Sequence, residues 1–76
     1  MNQKRRSEIA AAIGEIQSAK SDVESILLDE QTCLDNMPEN LEGSERYDSI
    51  ENAVDRLDEA VDALQEAIDS LEEAMK

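Results

Sequence analysis

Three consecutive heptads, AVDRLDE, AVDALQE and AIDSLEE, followed by AMK, close this chain from Ala53 to Lys76, and they leave few folds open. Large apolar residues stand at Tyr47, Ile50, Val54, Leu57, Val61, Leu64, Ile68, Leu71 and Met75, with gaps that alternate three and four without a break. That spacing is a helical seam, with Tyr47, Val54, Val61, Ile68 and Met75 at heptad position a and Ile50, Leu57, Leu64 and Leu71 at d. One position before each later a residue stands an alanine: Ala53, Ala60, Ala67 and Ala74. Small side chains at g widen the apolar face and let another backbone approach closely. Three apolar positions per heptad suit a bundle better than an isolated two-stranded coil.

The N-terminal half repeats the pattern less cleanly. Ile9, Ile16, Val23 and Met37 fall at d, Ile13, Leu27 and Leu34 at a, and Ala12, Ala19, Ile26 and Cys33 at g. Lys20 at a and Glu30 at d interrupt the seam; polar residues in such places more often fix register than perform chemistry. Leu28 lies just outside the seam. Beside Ile26 and Leu27 it is expected to complete the widest apolar patch of the chain and to touch a second hairpin.

Between the halves runs DNMPENLEGSERY. Pro38 cannot continue a helix and disfavours helical geometry at Met37. Asn36 with Glu39 three residues later resembles a capping box, which predicts one short turn over PENLE. Gly43 suits a left-handed stop and Ser44 suits the cap of a second helix. The chain should therefore be one domain over 1–76, with a helix over about 3–36, a turn over about 37–44 and a helix over about 45–75. So short a link between helices of matched length returns the chain antiparallel. The fold class is all-α: an antiparallel helical hairpin, coiled-coil-like, expected to dimerise into a four-helix bundle, because one hairpin of this size hides only one stripe per helix. At the turn, Arg46 is expected to pair with Asp35 or Glu39, Leu41 to plug the open end and Tyr47 to cap the seam. The alternative is a recognition tip carrying Asn36, Pro38, Glu39, Asn40, Leu41, Arg46 and Tyr47, with the only aromatic at its centre.

Composition removes most chemistry. Of 76 residues none is His, Trp or Phe, so a histidine general base or a Glu-x-x-His di-iron site is impossible. Cys33 is the only cysteine, has no activating neighbours, and reads as core filler in a reducing, cytoplasmic setting. DSIENAVDRLDE lacks the central glycine and ligand spacing of a calcium loop, and two glycines make no phosphate cradle. Neither enzyme activity nor a cofactor or metal is expected. No apolar run could span a membrane, and the basic start lacks the apolar core of a signal peptide. The opening Met and closing Lys fit a complete small gene product.

Twenty acidic residues against seven basic ones give a net charge of −13. That balance argues against direct binding to nucleic-acid backbone, whereas a protein partner with a basic surface fits it. Residues 1–20 carry +2, residues 21–44 carry −7 and residues 45–76 carry −8, so an antiparallel hairpin should set Lys4, Arg5 and Arg6 beside Asp69, Glu72 and Glu73. On the second helix b holds Asp48, Asp55, Asp62 and Asp69, while f holds Glu59, Glu66 and Glu73. Such rows, repeating every ~10 Å, could imitate phosphates; they could equally be a solvated coat. Like charges at Asp58–Asp62, Asp62–Glu66 and Asp69–Glu73 cost a few tenths of a kcal/mol each, which a coat would relieve with lysines. The candidate partner-binding residues are accordingly Asp55, Asp58, Glu59, Asp62, Glu66, Asp69 and Glu73.

The turn and its flanks also resemble a group of short, acidic helical-hairpin proteins of prophages and mobile elements of Gram-positive bacteria. In these a turn similar to N-[IM]-P-E-N-L-x-x-S-E-R-Y joins a helix beginning with Lys and Arg to one rich in Ala, Asp, Leu and Glu. Asn36, Met37, Pro38, Glu39, Asn40, Leu41, Ser44, Glu45, Arg46 and Tyr47 match it. The resemblance implies a factor acting on a host protein, such as a defence factor. The expected function is thus a non-enzymatic, homodimeric factor that occupies a basic, nucleic-acid-binding surface of such a protein. A structural or adaptor bundle whose acids serve only solubility is the alternative.

Overall fold

The computed structural model describes all 76 residues and is two long helices folded against each other. Helix α1 spans Gln3–Asp35, a 3-10 turn spans Glu39–Leu41, and helix α2 spans Glu45–Ala74. Each start is capped by a side chain that fills one of the donors a helix leaves open. The Asn2 Oδ1 accepts from the Arg5 amide at 2.8 Å, and the Ser44 Oγ accepts from the Tyr47 amide at 3.1 Å. There are no strands, and no helix is long and apolar enough to cross a membrane.

The turn departs from its sequence expectation in one respect. The 3-10 turn forms, but no Asn36 capping box starts it. Asn36 closes α1 instead, its amide donating to the Thr32 carbonyl at 3.0 Å, and Pro38 occupies the cap position of the turn without any side-chain bond. With φ −62 and ψ 146, Pro38 turns the chain out of helical geometry, and its carbonyl accepts from the Leu41 amide at 2.9 Å. Gly43 then takes φ 81, the left-handed conformation that a side chain disfavours.

One bond and one groove mark the register between the helices. The Lys20 Nζ donates to the Gln65 Oε1 at 2.8 Å, the only hydrogen bond or ion pair that crosses between α1 and α2. Glu24, Leu27 and Gln31 line a shared groove with Val61, Asp58 and Val54, each pair displaced from Lys20–Gln65 by equal steps in opposite directions. On that register Ile9 lies level with the C-terminus, and the start of α1 runs past the end of α2. Met1–Glu8 are accordingly all exposed. Lys4 lies about 12 Å along the axis beyond Glu73, at ~1.5 Å per residue. The expected pairing of Lys4, Arg5 and Arg6 with Asp69, Glu72 and Glu73 does not form. Lys4 meets Glu8 at 3.9 Å within α1, and Glu73 meets Lys76 just past the end of α2 at 3.1 Å.

The seam is where the heptads place it, but it is thin. Only Ile13, at 8% exposure, and Ile68, at 3%, are buried; the other a and d residues from Ile9 to Met75 are half-buried, Lys20 and Glu30 among them. The molecule is a rod, 59 Å long and 15 by 13 Å across between Cα atoms. Two helices in contact can exclude water only along their common line.

Two glycine substitutions test this backbone, with opposite expected signs. A Cβ at either Gly14 or Gly43 meets nothing within 4 Å, so conformation alone decides. Gly14, inside α1, should gain about 0.5–1 kcal/mol of stability as Ala. Gly43→Ala should cost about 1 kcal/mol or more, because of its positive φ. Thermal or urea melts of the two variants would show it; a stabilised Gly43→Ala chain contradicts the turn.

Candidate functional site

A rod with a thin seam has two flanks, and their chemistry differs. In an antiparallel pair the e positions of both helices share one flank and the g positions the other. The e flank holds Gln17, Glu24 and Gln31 from α1 with Glu51, Asp58, Gln65 and Glu72 from α2. It contains the one concavity of the molecule, a shallow groove of about 620 Å³ lined by Glu24, Leu27, Leu28, Gln31, Val54, Asp55, Asp58 and Val61. Its floor is the aliphatic seam, Leu27 with Val54 and Val61. Its rim carries three carboxylates, and Leu28, 66% exposed, stands beside them.

Leu28 does not form the single patch with Ile26 that the sequence suggested. Two residues along a helix are about 200° apart around its axis. Leu28 therefore joins Leu27 in the e-flank groove, whereas Ile26, 54% exposed, lies at g on the opposite flank. Each flank has its own uncovered apolar side chain.

The structure gathers some of the acidic residues singled out above and spreads the others. Asp55 and Asp58 are on the groove rim. Asp62 and Asp69 continue along the outward side of α2, with Glu59, Glu66 and Glu73 on the neighbouring row, all exposed. Few have partners: Glu59 pairs with Arg56 at 3.2 Å, Glu73 pairs with Lys76, and the Asp69 Oδ1 accepts from the Gln65 Nε2 at 2.9 Å. No salt bridge or side-chain hydrogen bond reaches Asp55, Asp58, Asp62 or Glu66. The carboxylates do not converge as a cage for a metal ion. Glu24 was not among the sequence candidates, because only register between helices brings it to the groove.

The turn residues are laid out along the tip. Asn36 and Pro38 are used by the backbone as described, and Glu39 and Asn40 are exposed within the 3-10 turn. Arg46 is exposed and makes no ion pair, with Asp35, Glu39 or any other acid. Leu41 stays 38% exposed and does not seal the end of the hairpin. Tyr47 is half-buried at the first turn of α2. Burial, then the carboxylates of Glu51, Glu42, Asp35 and Asp48, hold its phenol above the ordinary range, since each disfavours a phenolate.

No protein-family model matches the sequence, no curated protein matches it significantly, and no solved structure does either.

Tyr47 makes the tip measurable. It is the only aromatic residue, so phenolate absorbance reports it alone. The folded chain should titrate above the usual value of about 10, and the urea-unfolded chain close to it. Because the folded pKa is the raised one, this contribution to stability is present below the unfolded value and is lost as pH climbs through the folded one. Tyr47→Phe should therefore lessen the alkaline fall in melting temperature. Identical titrations of the folded and unfolded chains would contradict the acidic ring at the tip.

Proposed function

We propose that two copies of this hairpin pair into a four-helix bundle, and that the pair is a non-enzymatic binding factor. Its e flank and the outward side of α2 would occupy a basic surface on another protein. The observation that carries this is the groove: an exposed leucine and an aliphatic floor inside a rim of Glu24, Asp55 and Asp58, none of which has a basic partner. A coat serving solubility alone has no use for Leu28 at 66% exposure among carboxylates. A protein interface does, since interfaces combine an apolar centre with a polar rim.

The partner chemistry follows from this arrangement. A segment with aliphatic side chains on one side and Lys or Arg beside them would fill the groove and meet its rim. The further acids Asp62, Glu66 and Asp69 would extend the contact along α2, as would Glu59 and Glu73 once released from Arg56 and Lys76. Basic surfaces of this kind include those that bind nucleic acid. The resemblance to prophage hairpins suggests such a protein in the bacterial host. Charge would steer the encounter and the groove would slow release.

Two variants divide these contributions. The chain should capture a nucleic-acid-binding host protein in competition with DNA, and moderate salt should weaken the complex. Asp62→Lys with Glu66→Lys should reduce that affinity at least tenfold without altering helicity. Leu28→Ala should lower affinity several-fold and leave the salt dependence intact. Undiminished binding by the charge-reversed chain refutes the acidic surface as the site. Loss on changing Leu41 or Tyr47 instead would indicate an adaptor that binds through its tip.

A further inference from the structure

The g row carries no charge from Ala12 to Cys33 or from Ala53 to Ala74, and Glu30, half-buried at d, is the one charged side chain of the seam that opens onto this flank. On the register marked by Lys20 and Gln65, Ala19 lies level with Ala67, Ile26 with Ala60 and Cys33 with Ala53, a residue or less apart along the axis. Ile26 is 54% exposed here, and the half-buried d residues open onto the same side. The two edges of this flank differ. Along α1 the edge is position c, Glu8, Glu15, Asp22 and Asp29; along α2 it is Ser49, Arg56, Ala63 and Ser70. The c row of α2 is its only outward row without an acid.

We propose that a second copy of this chain covers the g flank with its tip at the same end, so that α1 of each copy lies against α2 of the other. This rests on the dimer proposed above and specifies its face and direction. A two-fold axis along the rod relates the copies and keeps every residue level with itself, so no sliding register remains to be chosen. Asp29 then lies level with the partner's Arg56, at both edges of the interface. Glu15 and Asp22 lie level with the partner's Ser70 and the partner's Ala63. Ile26 enters a layer whose neighbours are Ala60 and the partner's Ala60, a large side chain among small ones.

Charge decides against the reverse orientation. With tips at opposite ends α1 lies on α1, and four acids of one c row face four of another. The reverse orientation does separate the two acidic tips, where residues 21–64 hold fourteen acids against Arg46 and Arg56. But most of those charges point outward, farther apart across a bundle than the Debye length of about 8 Å at physiological salt. The charges at the interface edge are closer, so they control direction. The area is sufficient. A face of about thirty levels at ~1.5 Å, on a rod 15 Å wide, covers roughly 700 Å² per copy, near the ~800 Å² per partner of a stable interface.

Asp29 and Arg56 are both exposed in the hairpin, so reversing either leaves its fold intact. Sedimentation equilibrium on the full chain should show a dimer. Asp29→Arg alone and Arg56→Asp alone should each weaken it roughly tenfold. Mixing the two variants should restore a heterodimer, because both edge pairs are then of opposite sign; a chain carrying both changes should dimerise on its own. Ile26→Asp should dissociate the wild-type dimer and Leu28→Asp should not. A monomeric wild type overturns both the dimer and its arrangement. A dimer in which the single reversals are silent, or their mixture recovers nothing, overturns the arrangement alone. A dimer broken by Leu28→Asp but not by Ile26→Asp places the interface on the other flank.

Discussion

Two helices of about fifty ångströms at ~1.5 Å per residue touch along a single line, and the consequences of that line run through the whole molecule. Burying one stripe per helix leaves Ile13 and Ile68 as the only residues shielded from water, with the rest of the seam open on both sides. The openness is geometric and would persist with any choice of aliphatic side chains. Hydrophobic burial scales with the apolar area removed from water, so a thin seam limits what the hairpin gains by folding alone. The two flanks are then the places where more area can be buried. What stands on each flank determines what can cover it.

Charge contributes little to holding the hairpin together. The three ion pairs join residues three or four apart in sequence, with side chains 63% exposed or more, where such pairs are worth a few tenths of a kcal/mol. Lys20 and Gln65 bridge the helices, but they are not what sets the register. A slip of one heptad would put Lys20 opposite Asp58 or Glu72, a charged partner in place of a neutral one. The turn prevents it. From Asn36 to Ser44 five of the nine residues donate backbone hydrogen bonds, Asn36, Met37, Leu41, Glu42 and Ser44, and Gly43 is fixed in a left-handed conformation. A segment so bonded cannot lengthen or shorten by the ~10 Å that a heptad requires. The turn is the ruler, and Lys20 takes the neighbour it is given.

The distinction between local and long-range information explains what the sequence disclosed. Heptad spacing, the Ser44 cap, the Gly43 conformation and the ends of both helices depend on residues within a turn of one another, and they stand where the sequence puts them. The Asn36 capping box matched in its letters and failed in structure, because the Asn36 amide is already committed to closing α1 and Pro38 sets the next turn. The separation of Ile26 from Leu28 could have been read from helical geometry alone. The overhang of Lys4, Arg5 and Arg6 could not, since it depends on how far the turn carries α2 along α1. The same holds for the groove. Its acids Asp55 and Asp58 were visible as rows on one helix, whereas Glu24, Leu27 and Gln31 become part of it only when both helices are aligned.

A rod with two unlike flanks can meet two unlike partners without competition between them. Alanine at g permits close approach by another backbone, and an acid at g would prevent it; the g flank is suited to a surface identical to itself. The e flank carries carboxylates around an apolar floor, and a second copy placed there would bring carboxylates against carboxylates. Its complement is a surface that this chain does not contain, aliphatic and basic together. The basic residues here form no such surface: Lys4, Arg5 and Arg6 lie past the end of α2, Lys20 is tied to Gln65, Arg56 and Lys76 pair with Glu59 and Glu73, and Arg46 is alone at the tip. Self-association on the e flank is thereby disfavoured by the same acids that would admit a foreign partner. The chain's excess of negative charge thus stands where it would separate the two proposed kinds of contact, and the alanine row stands where charge would prevent one of them.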